Sequence, residues 1–285
     1  MRLKLIIFLS FLFFAILIVF FYKSEMFQDR SNYKNDIFLS VEPEYKNYSF
    51  GQRVWLKVKL FNHTSSDYYL KESFDAYGIK FNISDPKNNK LFNGIIVHSM
   101  IIDSIKLEPE NYFENIFPID NYINNFNSVE GTYSIEANYQ DLVSNSVKIK
   151  MSSPSGDTED QYLVYKNLFN INSFSGADLE TEKSMEFLKK YEESIYAPDI
   201  YDKVLIANLM AGNINQIESI VNRFFQNNSD TYASKFIIDH YFTFLTNNGF
   251  SEQEAIIKLN DIKSGHMGSK TKYIIETFLN KLAKK

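Results

Sequence analysis

The chain has 285 residues, of which 45% are hydrophobic and 16% aromatic, and its formal net charge is −5. It contains no cysteine, which excludes disulfide bonds and thiol chemistry. The acidic balance disfavours binding to a phosphate backbone, so we expect no nucleic-acid partner.

The first predicted element is an apolar segment at residues 5–22, which carries no charged side chain. A helix of about 18 residues rises about 27 Å, close to the hydrocarbon thickness of a bilayer at about 30 Å. No pair of small residues follows the segment at the spacing of a signal-peptide cleavage site. We therefore predict a retained transmembrane helix that contacts the membrane through residues 5–22. A cleaved signal and a buried core helix are the alternatives.

The basic residues Arg2 and Lys4 precede this segment, and short basic leaders usually stay in the cytosol. Residues 1–35 are thus predicted to be a cytosolic leader, a transmembrane anchor and a spacer. The bulk of the chain is predicted to lie outside the cytoplasm, in the periplasm or at the cell surface, as a single-pass membrane protein. Cleavage of the segment would instead give a secreted protein.

Residues 36–151 show an apolar pattern of period two. In the segment Arg53–Phe61, valine and leucine at even positions alternate with Arg53, Trp55 and two lysines at odd positions. Alternation of this kind, interrupted by proline, glycine and asparagine, is typical of half-buried strands. The pattern therefore predicts an antiparallel β-sandwich.

The stretch Val129–Tyr139 contains Glu130, Gly131 and Tyr133 and resembles the tyrosine corner of immunoglobulin-like domains. In that interpretation Gly131 forms a tight turn, and Tyr133 buries its ring while its hydroxyl makes a hydrogen bond. Two further stretches resemble bacterial extracytoplasmic Ig-like domains: Gly51–Leu56 and Leu107–Glu110. The resemblance implies an Ig-like fold for residues 36–151, a shape that in some domains binds proteases or glycans.

Residues 152–156 are predicted to be a linker, after which the apolar period lengthens to that of helices. Asparagine and glycine end the successive helical runs. Ser251 with Glu254 three residues later forms a predicted capping box. Residues 157–285 are therefore predicted to form a helical domain of short hairpins.

The stretch Phe187–Asp199 resembles tetratricopeptide-like repeats of bacterial envelope proteins. The residues that carry this resemblance lie around the turn between two helices: Tyr191, Ser194, Tyr196 and Ala197. A plain helical bundle stays open as the alternative, because no clean repeat of about 34 residues is present. The predicted fold class is thus all-β plus all-α multidomain, with an N-terminal transmembrane helix, an Ig-like antiparallel sandwich and a C-terminal helical hairpin domain.

The search for catalytic residues finds no recognised set. The four histidines have no metal-ligand spacing: His63, His98, His240 and His266. Asp239 precedes His240, but adjacent residues on a helix point about 100° apart. Ser269 and Lys272 match an SxxK motif that lacks its companion motifs. We therefore predict no enzymatic activity, no cofactor and no metal.

Aromatic residues around the early strands form a predicted binding surface. They are Tyr48, Trp55, Tyr68, Tyr69 and Phe74. If they emerge on one face, they form a platform for a glycan or a protein. In the alternative interpretation they cover the sandwich or seal the junction between the two domains.

These features favour a membrane-anchored, extracytoplasmic binding or scaffolding protein with an unidentified protein partner. One alternative is a protease-inhibitor-like Ig domain that uses the loops Asn62–Tyr69 and Asn121–Ser128 as contact elements. A secreted glycan-binding module is the other alternative, if the N-terminal segment is cleaved.

Overall fold

The computed structural model describes residues 36–70, 78–95, 105–119, 129–169, 177–228, 230–265 and 268–282. In these ranges eleven strands precede seven helices. The strands are β1 (Ile37–Pro43), β2 (Asn47–Ser49), β3 (Trp55–Asn62), β4 (Tyr68–Leu70), β5 (Ile79–Ser84), β6 (Lys90–Ile95), β7 (Ile105–Leu107), β8 (Tyr112–Pro118), β9 (Gly131–Tyr139), β10 (Leu142–Val143) and β11 (Val147–Ser152). The helices are α1 (Asp157–Phe169), α2 (Ala177–Lys190), α3 (Ala197–Ala211), α4 (Ile214–Asn227), α5 (Ser234–Asn247), α6 (Glu252–Ser264) and α7 (Ser269–Leu282). We call residues 37–152 the strand half and residues 157–282 the helical half.

Two sheets of the strand half enclose one hydrophobic core. One sheet has the order β1-β3-β8, and the other has the order β2-β11-β9-β5-β6 with β10 beside β9. β4 and β7 form a separate pair. The even-numbered residues of the β3 region that were predicted to point inward are fully buried: Val54, Leu56, Val58 and Leu60. Burying each such side chain contributes about 1.5–3 kcal/mol.

The predicted corner at Tyr133 is present as a local structure. The Tyr133 ring is fully buried, and its hydroxyl donates to the Val129 carbonyl oxygen at 2.9 Å. Gly131 has a φ of +136°, and a Cβ at this position would collide with the ring of Pro86. The predicted role of Tyr133 is therefore confirmed. Gly131 is the first residue of β9 and pairs with Met151, so the predicted tight turn does not lie at this glycine, and membership of an Ig-like family stays a prediction.

The helical half begins and ends its helices largely where the sequence indicates. Ser251 accepts a hydrogen bond from the backbone of Glu254, whose side chain accepts from the backbone of Ser251, so the predicted capping box is confirmed. α3 ends at Gly212 with a φ of +69°. The helical core includes Ile200, Leu205, Ile217, Phe224, Ile237, Leu245, Leu259 and Ile275.

The two halves share part of this core. Trp55 of β3 and Ile116 of β8 belong to the helical cluster and not to the core between the sheets. The Trp55 ring lies 5.1 Å from the ring of Phe236 in α5. The outer face of the three-stranded sheet is therefore covered by the helices along part of its length.

The predicted fold class is wrong in two respects within the described residues. The larger sheet is mixed, because β2 pairs with β11 in parallel, so the strand half is not purely antiparallel. The division into an all-β and an all-α domain does not hold either. Trp55 and Ile116 of the strand half pack in the helical core and not in the core between the sheets.

The predictions of a transmembrane anchor and of a single-pass, extracytoplasmic membrane protein are also corrected. Across the described ranges, no helix has the length and the apolar character that crossing a bilayer requires. The 15 residues of α3 rise only about 22 Å, against about 30 Å of hydrocarbon. Residues 5–22, to which the membrane contact was assigned, lie outside the described residues.

Candidate functional site

The structure does not gather the predicted aromatic surface on one exposed face. Tyr48 is buried in the core of the strand half, and Trp55 is buried in the helical core. Tyr68 is half-buried, and its neighbour Tyr69 is 55% exposed. Phe74 lies outside the described residues. Trp55 follows the alternative interpretation, because it seals the junction between the halves.

A different aromatic group lies on the outer face of the three-stranded sheet. The rings of Phe38 and Phe61 stack with centroids 4.6 Å apart, and His63 lies 5.2 Å from Phe38. Tyr112 lies 5.5 Å from Phe61. Sequence reasoning missed this group, although Phe38 and Phe61 occupy outward positions of the period-two pattern.

A cleft at the junction of the two halves is the candidate functional site. Its volume is about 720 Å³, within the range of about 300–1,000 Å³ that is common for ligand sites. The strand half contributes Glu44, Tyr45, Asn47, Gln52 and Arg53, and the helical half contributes Glu193, Asp199, Asn227, Asn228 and Asp230. We call this feature the junction cleft.

One wall of the junction cleft is organised by Arg53, which precedes β3. Its Nε lies 3.2 Å from Asp199 Oδ1, and its Nη1 lies 3.4 Å from Asp202 Oδ2. The guanidinium also lies 5.3 Å from the centre of the Trp55 ring. Tyr165 of α1 donates a hydrogen bond to Asp199 at 3.0 Å. We call this group the arginine contact; it gives the buried Asp199 carboxylate a cation and a hydrogen-bond donor.

Burial dominates the electrostatics of the arginine contact. It raises the pKa of Asp199, while Arg53 and the hydrogen bond from Tyr165 act in the opposite direction. Asp202 adds a second negative charge beside the same arginine and is approached by His240, whose Nε2 lies 3.7 Å from Asp202 Oδ1. His240 of α5 thus faces Asp202 of α3, not the adjacent Asp239.

Glu44, which follows β1, organises the opposite wall. Its Oε1 accepts a hydrogen bond from the Tyr232 backbone N–H at 2.7 Å, and its Oε2 accepts from Thr231 Oγ1 at 3.5 Å. Lys270 Nζ of α7 lies 3.4 Å from Oε1. Only 1% of the Glu44 side chain is exposed, and this burial raises its pKa. We call this group the glutamate contact.

A tight turn, closed by a hydrogen bond from the Gln52 N–H to the Ser49 carbonyl oxygen, precedes Arg53, and residues Phe50–Arg53 contact the helical half. Tyr196 of the helical half donates from its hydroxyl to the Phe50 carbonyl oxygen at 2.9 Å. Gly51 has a φ of +76°, and a Cβ there would lie 2.8 Å from Tyr162 Cε2. Only glycine allows both this conformation and this approach. We call the segment the docking turn.

The cleft has a surplus of hydrogen-bond acceptors and of negative charge. Four carboxylates line it against one arginine, and that arginine is engaged by Asp199 and Asp202. Asn227 and Asn228 each donate from Nδ2 to a backbone carbonyl oxygen, and both keep a carbonyl oxygen as acceptor. The chemistry of the lining therefore suits a ligand rich in donors or carrying positive charge.

No metal centre is formed in the part of the chain that the structure describes, since no group of three or more histidine or acidic residues has suitable geometry there. His63 lies 3.1 Å from Glu110, far along the sheet from the junction cleft. His98 and His266 lie outside the described residues. The candidate site is thus defined by shape, charge and hydrogen bonding.

Comparison with known proteins identifies no relative. No protein-family model matches the sequence, and no characterised protein matches it by sequence. Among solved structures, the alkylpurine DNA glycosylase AlkC of Pseudomonas fluorescens aligns at 8% identity with a TM-score of 0.29, over 42% of this chain and 31% of that one. The CARDB domain of PF1109 from Pyrococcus furiosus aligns at 12% identity with a TM-score of 0.26, over 42% of this chain and 96% of that domain.

A β-glucosidase from Listeria innocua aligns at 8% identity with a TM-score of 0.25, over 41% of this chain and 16% of that one. The chain therefore spans less than a third of the glycosylase and about a sixth of the β-glucosidase. Likenesses this weak identify neither fold nor function, and neither the Ig-like nor the tetratricopeptide-like resemblance is confirmed by them.

Proposed function

We propose that this chain is a binding protein without enzymatic activity, and that its junction cleft holds a basic segment of a protein partner. The observation that carries the proposal is the charge of the lining: Glu193 and Asp230 add exposed negative charge, while Arg53 is engaged by Asp199 and Lys270 by Glu44. A lysine or arginine side chain supplies the donors that such a lining lacks.

The dimensions and the polar groups of the cleft support a peptide over a single ion. About 720 Å³ accommodates several residues, and ligand sites of this size combine apolar walls with a few placed polar groups. Glu193 and Asp230 are exposed at the rim, where negative charge attracts a basic segment over several ångströms. The carboxamides of Asn227 and Asn228 can pair with the peptide backbone.

The cleft is also held in shape before any ligand arrives. The arginine contact, the glutamate contact and the docking turn tie its walls together through buried groups. A preformed site avoids much of the entropy that is lost when side chains are ordered on binding. A modest number of contacts with the ligand is then sufficient for measurable affinity.

Fluorescence anisotropy of a labelled pentapeptide Gly-Arg-Lys-Arg-Gly with the full-length chain tests the proposal. We expect saturable binding that weakens as salt rises, because the contacts are electrostatic. Glu193→Lys should reduce the affinity about tenfold, which corresponds to about 1.4 kcal/mol. The matched control is Glu252→Lys, which changes the net charge equally on an exposed helix start far along the chain.

Equal binding of the labelled peptide Gly-Glu-Gln-Glu-Gly, or an equal loss with Glu193→Lys and Glu252→Lys, would contradict the proposal. The first outcome means that charge does not select the ligand. The second means that only the net charge of the protein matters and the cleft does not.

A second candidate function is inhibition of a protease by the loop Asn62–Tyr69, and the hydrogen bonding of Asn62 supports it. Its Nδ2 donates to the carbonyl oxygens of Ser66 and Leu107, both at 2.9 Å. Its Oδ1 accepts from the backbone and the hydroxyl of Thr64. A loop held in one conformation inserts into an active-site cleft at a low entropic cost. The other loop of this hypothesis, Asn121–Ser128, lies outside the described residues.

Titration of the full-length chain against serine, cysteine and metalloproteases with fluorogenic substrates tests this second function. Inhibition should be lost with Ser65→Trp, which enlarges the exposed tip of the loop. It should persist with Ser219→Trp, which makes the same change at an exposed position of α4. No inhibition of any of these proteases would dismiss the idea.

A further inference from the structure

We infer that the glutamate contact is an acid-tightened latch, in which binding of a proton by Glu44 favours the docked arrangement of the strand half and the helical half. The Glu44 carboxylate accepts hydrogen bonds from Tyr232, Thr231 and Lys270 of the helical half, and its neighbour Tyr45 is the partner from the strand half. Tyr232 and Thr231 are 188 and 187 residues away in sequence, and Lys270 is 226 residues away. Glu44 can therefore be this deeply buried only while the two halves are docked.

The groups that face Glu44 do not compensate fully for its burial. From the turn before α5 come the neutral donors of Thr231 and Tyr232, and from α7 comes Lys270. The Lys270 ammonium is shared, because it also lies 4.5 Å from the centre of the Tyr45 ring and 5.5 Å from that of Tyr232.

Further charged groups lie around this site. Asp230 acts on Tyr45, and Lys57 and Glu42 act on Tyr232 from the sheet. Lys57 and Glu42 form an ion pair at 3.0 Å, so their electrostatic effects on this site largely cancel. Negative charge on Glu44 is thus disfavoured in the docked state relative to water.

The sign of the pH dependence follows from this comparison. In the docked state burial raises the pKa of Glu44 above its ordinary value of 4.5, against the opposing effects of Lys270 and of the hydrogen bonds. When the halves separate, water reaches Glu44 and the pKa returns towards that ordinary value. The docked state therefore binds the proton more tightly. The contribution of Glu44 to docking is fully present below the ordinary pKa and is lost as the pH rises through the docked-state pKa.

Other carboxylates of the protein act with the opposite sign. Hydrogen bonds from Ser153 lower the pKa of Glu130, and hydrogen bonds from Ser251 lower that of Glu254. Their contributions are lost as the pH falls. The stability of the wild-type protein alone consequently mixes both signs, whereas a difference between two proteins that share these groups isolates Glu44. Asp199, whose pKa burial also raises, cancels in the same way.

The single tryptophan of the chain supplies the measurement, because Trp55 is buried at the junction. Denaturant unfolding of the full-length chain is followed by Trp55 fluorescence from about pH 4 to about pH 8.5, for the wild type and for Glu44→Gln. Glutamine keeps an acceptor for Tyr232 but has no proton to exchange. At each pH, the denaturant concentration at the unfolding midpoint of Glu44→Gln is subtracted from that of the wild type. We expect this difference to rise as the pH falls.

Glu42→Gln is the matched control, since Glu42 lies two residues before Glu44, in β1, and its side chain is 65% exposed. The difference in unfolding midpoint between the wild type and Glu42→Gln should not rise towards low pH. Parallel midpoint curves for the wild type and Glu44→Gln would overturn the latch, as would a difference that falls on acidification. If Glu44→Gln does not fold, carboxyl ¹³C NMR of the wild type decides, because a Glu44 pKa at or below 4.5 contradicts the inference. None of these measurements requires a ligand, so they stand apart from the peptide-binding experiment.

Discussion

The arginine contact and the glutamate contact both bury a charge of the strand half against the helical half, but they balance that charge differently. Arg53 meets two carboxylates, Asp199 and Asp202, at 3.2 and 3.4 Å. Glu44 meets a backbone N–H, a hydroxyl and one partly exposed lysine. Removing Arg53 therefore leaves the carboxylates of Asp199 and Asp202 without their cation. Neutralising Glu44 leaves no carboxylate without a cation.

This difference assigns distinct roles to the two walls of the junction cleft. A buried carboxylate with an ionic partner is costly to disturb, because removing the partner leaves an uncompensated buried charge. A buried charge compensated mainly by neutral donors responds to the proton concentration. The arginine contact thus fixes the junction, and the glutamate contact adjusts its strength. Substitutions at the two contacts and in the docking turn test this contrast.

Arg53→Ala should have the largest effect, a loss of about 3–5 kcal/mol in the free energy of unfolding. The reason is that Asp199 and Asp202 remain buried without their cation. Denaturant unfolding followed by Trp55 fluorescence measures the loss. Adding Asp199→Asn to Arg53→Ala should recover part of it, because one stranded charge is removed. A loss below about 1 kcal/mol, typical of an exposed ion pair, would show that the contact is solvated.

Gly51→Ala should be the next most damaging change, because it strains φ and pushes against Tyr162 in the docking turn. Gly212→Ala is the control, since Gly212 also has a positive φ but no atom within 4 Å of its Cβ position. We expect the free energy of unfolding to fall by about 1–2 kcal/mol in the control. In Gly51→Ala it should fall by about 1–3 kcal/mol more than in the control. Thermal unfolding of both variants measures the difference. Equal losses would mean that the turn does not press against the helices.

Tyr165→Phe and Thr231→Val compare one neutral donor in each contact, and these are the smallest expected effects. Tyr165 donates to buried Asp199 at 3.0 Å, so its loss should cost about 1.5–3 kcal/mol. Thr231 donates to Glu44 at only 3.5 Å, so its loss should cost about 0.5–1 kcal/mol. Chemical denaturation of the two variants tests this order, and the reverse order would contradict the roles given to the two contacts.

Local features of the fold could be predicted from the sequence, because short-range physics determines them. The inward residues Val54 to Leu60 follow from alternation along one strand. The capping box at Ser251 follows from two residues three positions apart, and the corner at Tyr133 is closed by a carbonyl oxygen four residues away. In each case the pattern and its structural cause lie within a few residues of each other.

The candidate site could not be predicted, because its partners lie far apart in sequence. Arg53 bonds to Asp202 across 149 residues, and no periodicity in either segment encodes that pairing. One signal was available: a tryptophan beside an arginine on the outward face of a strand indicates a face that something covers. The identity of the cover, the N-terminal ends of α5 and α7, depends on the packing of the whole helical half.

The 226-residue separation of Glu44 and Lys270 also matters during protein synthesis. The segment that carries Glu44, the docking turn and Trp55 is translated before α5 and α7. Until those helices are made, the face of the sheet that carries Trp55 lacks its cover, and exposed apolar surface of this kind promotes aggregation. In this order of translation, docking of α5 and α7 onto the sheet converts an aggregation-prone intermediate into a protected molecule.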